Sequence, residues 1–238
     1  MPTQHTVKSY EQQLAHLDSV IAEMGAVAAS QLERAFGVLV RQEPEAAREV
    51  PGRDAQVNAL ERDVDALTVR LLALRQPMAD DLRNVVCALR VSIDLERIAD
   101  YAANIAKRVA RLNHSAPTPP LDDLRRMGEV LLEMTRDALA AYRDRDDALA
   151  ERVWCRDDEV DRGYLAVLQD LCSRMVADPN AVMACTDLLF VAKSMERVGD
   201  HLTNVCEHVR FLVRGEPWGR HTCGRAEDDL VDAPGSGN

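Results

Sequence analysis

Two stretches of this chain carry residue types able to hold a cation. ERIADYAANIA, Glu96 to Ala106, returns as ERVGDHLTNVC, Glu196 to Cys206, one hundred residues later. On an α-helix, residues four apart lie one turn above each other. Glu96 with Asp100, and Glu196 with Asp200, therefore put two carboxylates on one strip of surface, where like charges repel. At about 100° per residue, both pairs lie roughly opposite the apolar stripes that begin at Val91 and Leu188. They are expected to face solvent or the flank of a neighbouring helix rather than a bundle core.

The elements that must carry these pairs are all helical. Aromatics are only 4% of the residues, and Ala, Leu, Arg, Glu and Asp dominate, a palette that favours helix over sheet. Apolar residues recur at steps of three and four from Leu14 to Leu39 and from Val57 to Leu74, with VPGRD between them as a break. After RQPMADD a third helix carries the stripe Val91 to Leu112. The segment NHSAPTPPLDD cannot be helical and reads as a linker. Beyond it the order restarts, with a fourth helix from Leu124 to Tyr142, a fifth running from about Asp146 to Val176, and a sixth from Leu188 to Leu212.

The halves superimpose in sequence. Met24-Gly25 matches Met127-Gly128, and Asp54-x-x-Val57 matches Asp157-x-x-Val160 at the same offset. The expected architecture is all-α: two tandem three-helix bundles related by internal duplication. Residues 1–113 form the first, 114–120 the proline linker, 121–215 the second and 216–238 a small, polar tail.

Register arithmetic then brings further acids to the strips. A hairpin turning at Pro77 sets Asp100 against Asp54 and Glu96 against Asn58. One turning at Asp178-Pro179 sets Asp200 against Asp157 and Glu196 against Asp161. Glu61 and Asp65 extend the ladder of the first unit and join or replace its outer members if the turn lies later. Clustered carboxylates are costly unless a cation neutralises them. Oxygen-only donors suit hard cations, Mg²⁺, Mn²⁺, Ca²⁺ or iron, more than a structural zinc. The cofactor expected is a divalent or ferric ion among Mg, Mn, Fe or Zn. The competing account leaves a solvated acidic face, neutralised by Arg97 and Arg197. Asn104 and Asn204 lie one further turn along the strips and either orient ligands or water or are inert surface residues; His201 borders the second cluster and reads as a surface residue, and the scattered cysteines read as core fillers.

Other functions are disfavoured. A net charge of −11, from 40 acidic and 29 basic residues, opposes nucleic-acid binding through phosphate neutralisation. No apolar run is long enough to span a membrane, the N-terminus lacks a secretory signal, and six cysteines without C-x-x-C spacing suit a reducing cytosol. A carboxylate-bridged metal enzyme would carry a Glu-x-x-His motif, and none is present; nor is a phosphate loop or a nucleophile elbow.

LERIADYAANIA and MERVGDHLTNVCE, with RQPMADDLR between the second and third helices, resemble the PhoU family of phosphate-uptake regulators over roughly residues 10 to 214. The resemblance implies a cytoplasmic, often homodimeric protein of two three-helix bundles that binds metal through E(D)-x-x-x-D motifs and is not an enzyme. It also implies a negative regulator of the phosphate-starvation response, linking the ATPase subunit of a phosphate ABC transporter to a phosphate-sensing histidine kinase. The family's metal motifs fall on Glu96 and Asp100, Glu196 and Asp200, Asp157 and Asp161, and Asp54 with Asn58. Asn58 departs from the pattern by replacing a carboxylate. Ala99 and Tyr101 replace the family's frequent Gly and His, which Gly199 and His201 keep, so the second site is expected to be the stronger.

Overall fold

A computed structural model describes residues 3–50, 54–75, 77–112 and 121–216, with the side chains of residues 3–9, 54 and 75 left out. The proline linker, the tail from residue 217 and the Pro51-Gly52 break lie outside the described residues. Every element within them is helical: α1 (Thr3–Arg41), α2 (Pro44–Ala47), α3 (Asp54–Arg75), α4 (Asp80–Val109), α5 (Asp122–Asp144), α6 (Asp147–Cys155), α7 (Asp157–Ala177) and α8 (Val182–Arg214), with a 3₁₀ turn at Pro179–Ala181 before α8.

The predicted stripes are the buried ones. Leu17, Ile21, Met24, Ala28, Leu32, Ala35 and Leu39 of α1 are all sealed from solvent, as are Val91, Leu95, Ile98, Ala102, Ile105 and Val109 of α4. Each large aliphatic side chain so buried stabilises the fold by about 1.5–3 kcal/mol before entropy is charged against it. The stripe of α3 ends early: Leu71 is buried, but Leu74, near the hairpin turn, is 67% exposed.

Two boundaries differ from expectation. The helix expected from about Asp146 to Val176 is two helices broken at Arg156. There the backbone switches to shorter-range bonds, Arg156 N to Val153 O at 3.0 Å and Glu159 N to Arg156 O at 2.9 Å. Asp157, Asp158 and Glu159 then fill the first turn of α7, where acids favour the helix dipole. The Arg156 side chain is anchored on Glu133 of α5 at 2.7 Å. The second difference is α2, which begins at Pro44 and is the first repeat's counterpart of α6.

The two repeats share one continuous apolar core, and no pair of helices packs more extensively than α4 and α8, one from each repeat. These run antiparallel. The Cys87 thiol donates to His208 O at 3.2 Å, Asp94 meets His201 at 2.8 Å, and Arg108 donates to Asp187 at 3.0 Å. On each helix these positions step by seven or fourteen residues, the spacing of a coiled-coil seam. Under the duplication Asp187 stands where Cys87 does and His208 where Arg108 does, so the pairs at the two ends are counterparts about a pseudo-twofold axis.

Asp94, only 6% exposed, is the polar centre of this seam. It accepts hydrogen bonds from the His201 ring, from the Asn204 amide at 3.2 Å and from the His208 ring at 3.1 Å. Burial pushes its carboxyl up, but these three donors outweigh burial and hold it below the usual carboxylate range. His201 and Asn204 are thus ties between the repeats rather than surface residues. Cys87, Cys185 and Cys206 are buried thiols, whereas Cys172 is exposed and Cys155 is disulfide-bonded, which the core-filler reading did not anticipate.

Candidate metal centre

The acidic strips lie on the outer faces of the α3–α4 and α7–α8 hairpins. In the second, α7 opens with Asp157, whose carboxylate rests against the backbone of α8 at Gly199. A Cβ on Gly199 would stand 2.5 Å from Asp157 Oδ1 and 3.4 Å from Val160 Cγ1, so the glycine makes room for the carboxylate at this crossing. Burial and then the charges of Asp161, Asp200, Glu196 and Asp158 push the Asp157 carboxyl up to about 7. Asp161, on the exposed side, is pushed up by burial and by Glu196 and Asp200, against the opposing field of Lys193. Asp157, Asp161, Glu196 and Asp200 therefore share one patch, as the hairpin register requires.

Two cations reach the same patch. Lys193 Nζ meets Glu196 Oε1 at 2.5 Å, and Arg197 donates to Asp200 Oδ2 at 3.1 Å. The other Glu196 oxygen, Oε2, is buried, accepts no hydrogen bond, and has Arg197 Nε 3.8 Å away. Lys193 was missed by sequence reasoning, although its place three residues before Glu196 is the signal for such a pair. It also lies over the Tyr164 ring of α7, 5.2 Å from the centroid.

The first cluster is built differently. Glu96, with a side chain 16% exposed, is pushed up by burial first, then by Asp100; Arg97, whose Nε stands 3.5 Å away, opposes the shift and Glu61 adds to it. Glu61 of α3 thus belongs to this patch, as the later-turn register allowed. Asn58 is half-buried on the same helix, Asp65 is exposed, and the Asp54 side chain lies outside the described residues. By duplication Glu61 stands where Tyr164 does, and Ile93, 47% exposed, where Lys193 does. The two patches differ at these positions as well as at Asn58.

The donor set fits a hard cation: carboxylates in like-charged proximity, one buried oxygen that accepts no hydrogen bond, and a glycine that admits a carboxylate to the helix backbone. Among the described residues, no three His, Cys, Asp or Glu side chains already stand together as one ion's ligands.

The sequence was compared with known proteins. A family model described as the PhoU domain matches twice, at residues 21–109 and 124–209. The chain belongs to the PhoU family. Glu96 and Asp100 lie in the first matched segment and Glu196 and Asp200 in the second, so the duplicated acids lie within the duplicated family domain. A phosphate-specific transport system accessory protein PhoU homolog of Caulobacter vibrioides is 42% identical over 215 residues, covering 90% of this chain and 94% of that one. PhoU from Pseudomonas aeruginosa superimposes with a TM-score of 0.84 at 35% identity, over 87% of this chain and all of that one. The phosphate transport system regulatory protein PhoU from Streptococcus pneumoniae gives 0.82 at 26% identity, over 88% and 99%. Among the described residues no helix is long and apolar enough to cross a membrane.

Proposed function

We propose that this protein is an accessory regulator of phosphate-specific transport. It restrains phosphate uptake and the starvation response by linking a phosphate ABC transporter ATPase to a sensor histidine kinase, and it binds metal at its two acidic patches. Family membership across both repeats, with relatives named for phosphate transport, supports the regulatory role. The observation that carries the metal reading is Asp157, lodged against Gly199 among Asp161, Glu196 and Asp200. Glu196, Asp200, Asp157 and Asp161 would hold an ion in the second patch; Glu96 and Asp100, with Glu61, Asn58 and Asp54, would do so in the first. A bound divalent or ferric ion supplies positive charge that relieves the mutual repulsion of these carboxylates and pins α7 to α8. The regulator performs no catalysis on this reading. It acts as a homodimer in the cytoplasm.

A second reading has an observation in its favour. Lys193 and Arg197 already pair with Glu196 and Asp200, so the patch is partly neutralised within the chain. Elemental analysis of the purified protein separates the two. On the metal reading the wild type carries divalent or ferric ions, which fall away in the Glu196→Ala/Asp200→Ala variant; unchanged metal content in that variant overturns the ligand assignment. Regulation is tested separately: cells lacking the gene should express phosphate-scavenging genes in phosphate-rich medium, and normal repression there refutes the role.

A further inference from the structure

The second acidic patch has an ammonium group at a place where the first has an aliphatic side chain. The register that sets Asp200 against Asp157 across the α7–α8 hairpin also sets Lys193 against Tyr164, two turns nearer the tip. The ammonium reaches both helices: Nζ lies 2.5 Å from Glu196 Oε1 and 5.2 Å from the centre of the Tyr164 ring. Its field extends to Asp161, whose carboxyl it draws down against burial and the neighbouring acids. In the first hairpin the same register sets Ile93 against Glu61, and Glu61 adds its charge to the field at Glu96. Both members of the facing pair therefore differ between the repeats: lysine with tyrosine in one, isoleucine with glutamate in the other.

The two oxygens of Glu196 have unlike surroundings. Oε1 is held by Lys193, whereas Oε2 is buried, accepts no hydrogen bond and has Arg197 Nε 3.8 Å away. The glutamate side chain is 15% exposed and the lysine side chain 39%, so the longer and more exposed partner is the one with room to move. A carboxylate oxygen that holds an ammonium has no place for a second cation, because two like charges a few ångströms apart repel strongly where water is scarce. The face of Tyr164 offers the ammonium a separate attraction, of the kind an aromatic ring exerts on a cation within about 6 Å of its centre. Lys193 can thus leave Glu196 and still be held by the hairpin.

We propose that Lys193 is a displaceable counter-ion: its ammonium and a metal ion are alternative occupants of Glu196, and Tyr164 receives the ammonium when the ion takes its place. This inference rests on the metal reading given above. It joins the two accounts of the patch, since the internal cation limits the repulsion among Asp157, Asp161, Glu196 and Asp200 until an external one replaces it. Lys193 is then no ligand but a positioning residue, which sets how much metal the second patch needs. The first patch, with Ile93 at this position, has no such competitor there.

The test is calorimetric titration of the metal-stripped full chain with Mn²⁺ and, in separate runs without oxygen, with Fe²⁺. Glu96→Ala/Asp100→Ala removes the acid pair of the first patch, so that uptake reports the second. In that background Lys193→Met, which keeps an apolar stem beside Tyr164, should bind the ion about tenfold more tightly. Lys193→Arg, which keeps the charge, should bind as the parent does. A second readout uses the otherwise wild-type chain: stripped of metal, Lys193→Met should melt below the wild type, and with saturating ion it should gain more in melting temperature than the wild type gains. A lysine that only packs against Tyr164 would lower both melting temperatures alike. If neither ion binds the wild type, the metal reading itself fails and the inference falls with it. The inference alone is overturned if the wild type binds the ion but the Glu96→Ala/Asp100→Ala chain does not, if Lys193→Met binds no more tightly than its parent, if Lys193→Arg matches Lys193→Met, or if the two melting temperatures fall alike.

Discussion

Replacing Asp94 by Ala isolates the contribution of the seam between the repeats. The carboxylate is 6% exposed and receives donors at 2.8, 3.1 and 3.2 Å. Breaking a fully buried charged cluster costs about 3–5 kcal/mol. The His201 and His208 side chains keep 20% and 19% of their surface, so water relieves part of the loss once Asp94 is gone. The lower end, about 3 kcal/mol, is therefore expected, which for a chain of this size lowers the melting temperature by about 6–12 °C. The pH dependence follows from the direction of the shift. A carboxyl held below its unfolded value of 3.8 contributes stability that is present above that value and lost as pH falls through the folded one. The gap between wild type and variant in scanning calorimetry should be full at pH 7 and close as the pH is taken below about 4. Asp94→Asn, which keeps the shape, should lose less. A variant melting within about 1 °C of the wild type at pH 7, or a gap that persists unchanged down to about pH 3, would refute the account of Asp94 as the seam's polar centre.

Two further outcomes concern the second patch. A carboxyl raised to about 7 contributes stability that is fully present below the unfolded value and is lost as pH rises through 7, so chelator-treated protein carries its cost at pH 8. Asp157→Asn should therefore stabilise it there by about 1–2 kcal/mol, discounted because the group is partly exposed, and the gain should vanish near pH 4 in melting curves taken with chelator. With saturating metal the sign should reverse. Gly199→Ala gains helix propensity of about 1 kcal/mol but drives a Cβ to 2.5 Å from Asp157 Oδ1, so bound metal per chain should fall while the melting temperature moves little; unchanged metal content would remove Asp157 from the ligand set.

Much of the site was readable because its logic is short-range. Glu196 with Asp200 follows from helical periodicity, and their meeting with Asp157 and Asp161 follows from one tight turn at Asp178, whose side chain accepts from Asn180 N at 2.9 Å. The first hairpin was less determinate: Glu96 shares its field with Glu61, and a shift of a few residues along α3 decides whether Asn58 or Glu61 is the closer neighbour. Asp94 was passed over although it sits on the apolar stripe between Val91 and Leu95. A charge on a core face is itself a signal that a partner lies opposite. The break at Arg156 escaped because its residues are acceptable helix formers; what anchors its side chain is Glu133, on another helix.

The sequence by itself determined the helices, the duplication and the paired acids, because periodicity and i, i+4 spacing act within one element. Only the tertiary structure decided that α4 and α8 form the seam, and that Lys193 joins one acidic patch and Glu61 the other. Those outcomes depend on how residues tens of positions apart are set against each other by packing, and packing is collective: each side chain's neighbours are chosen by the volume and charge of all the others.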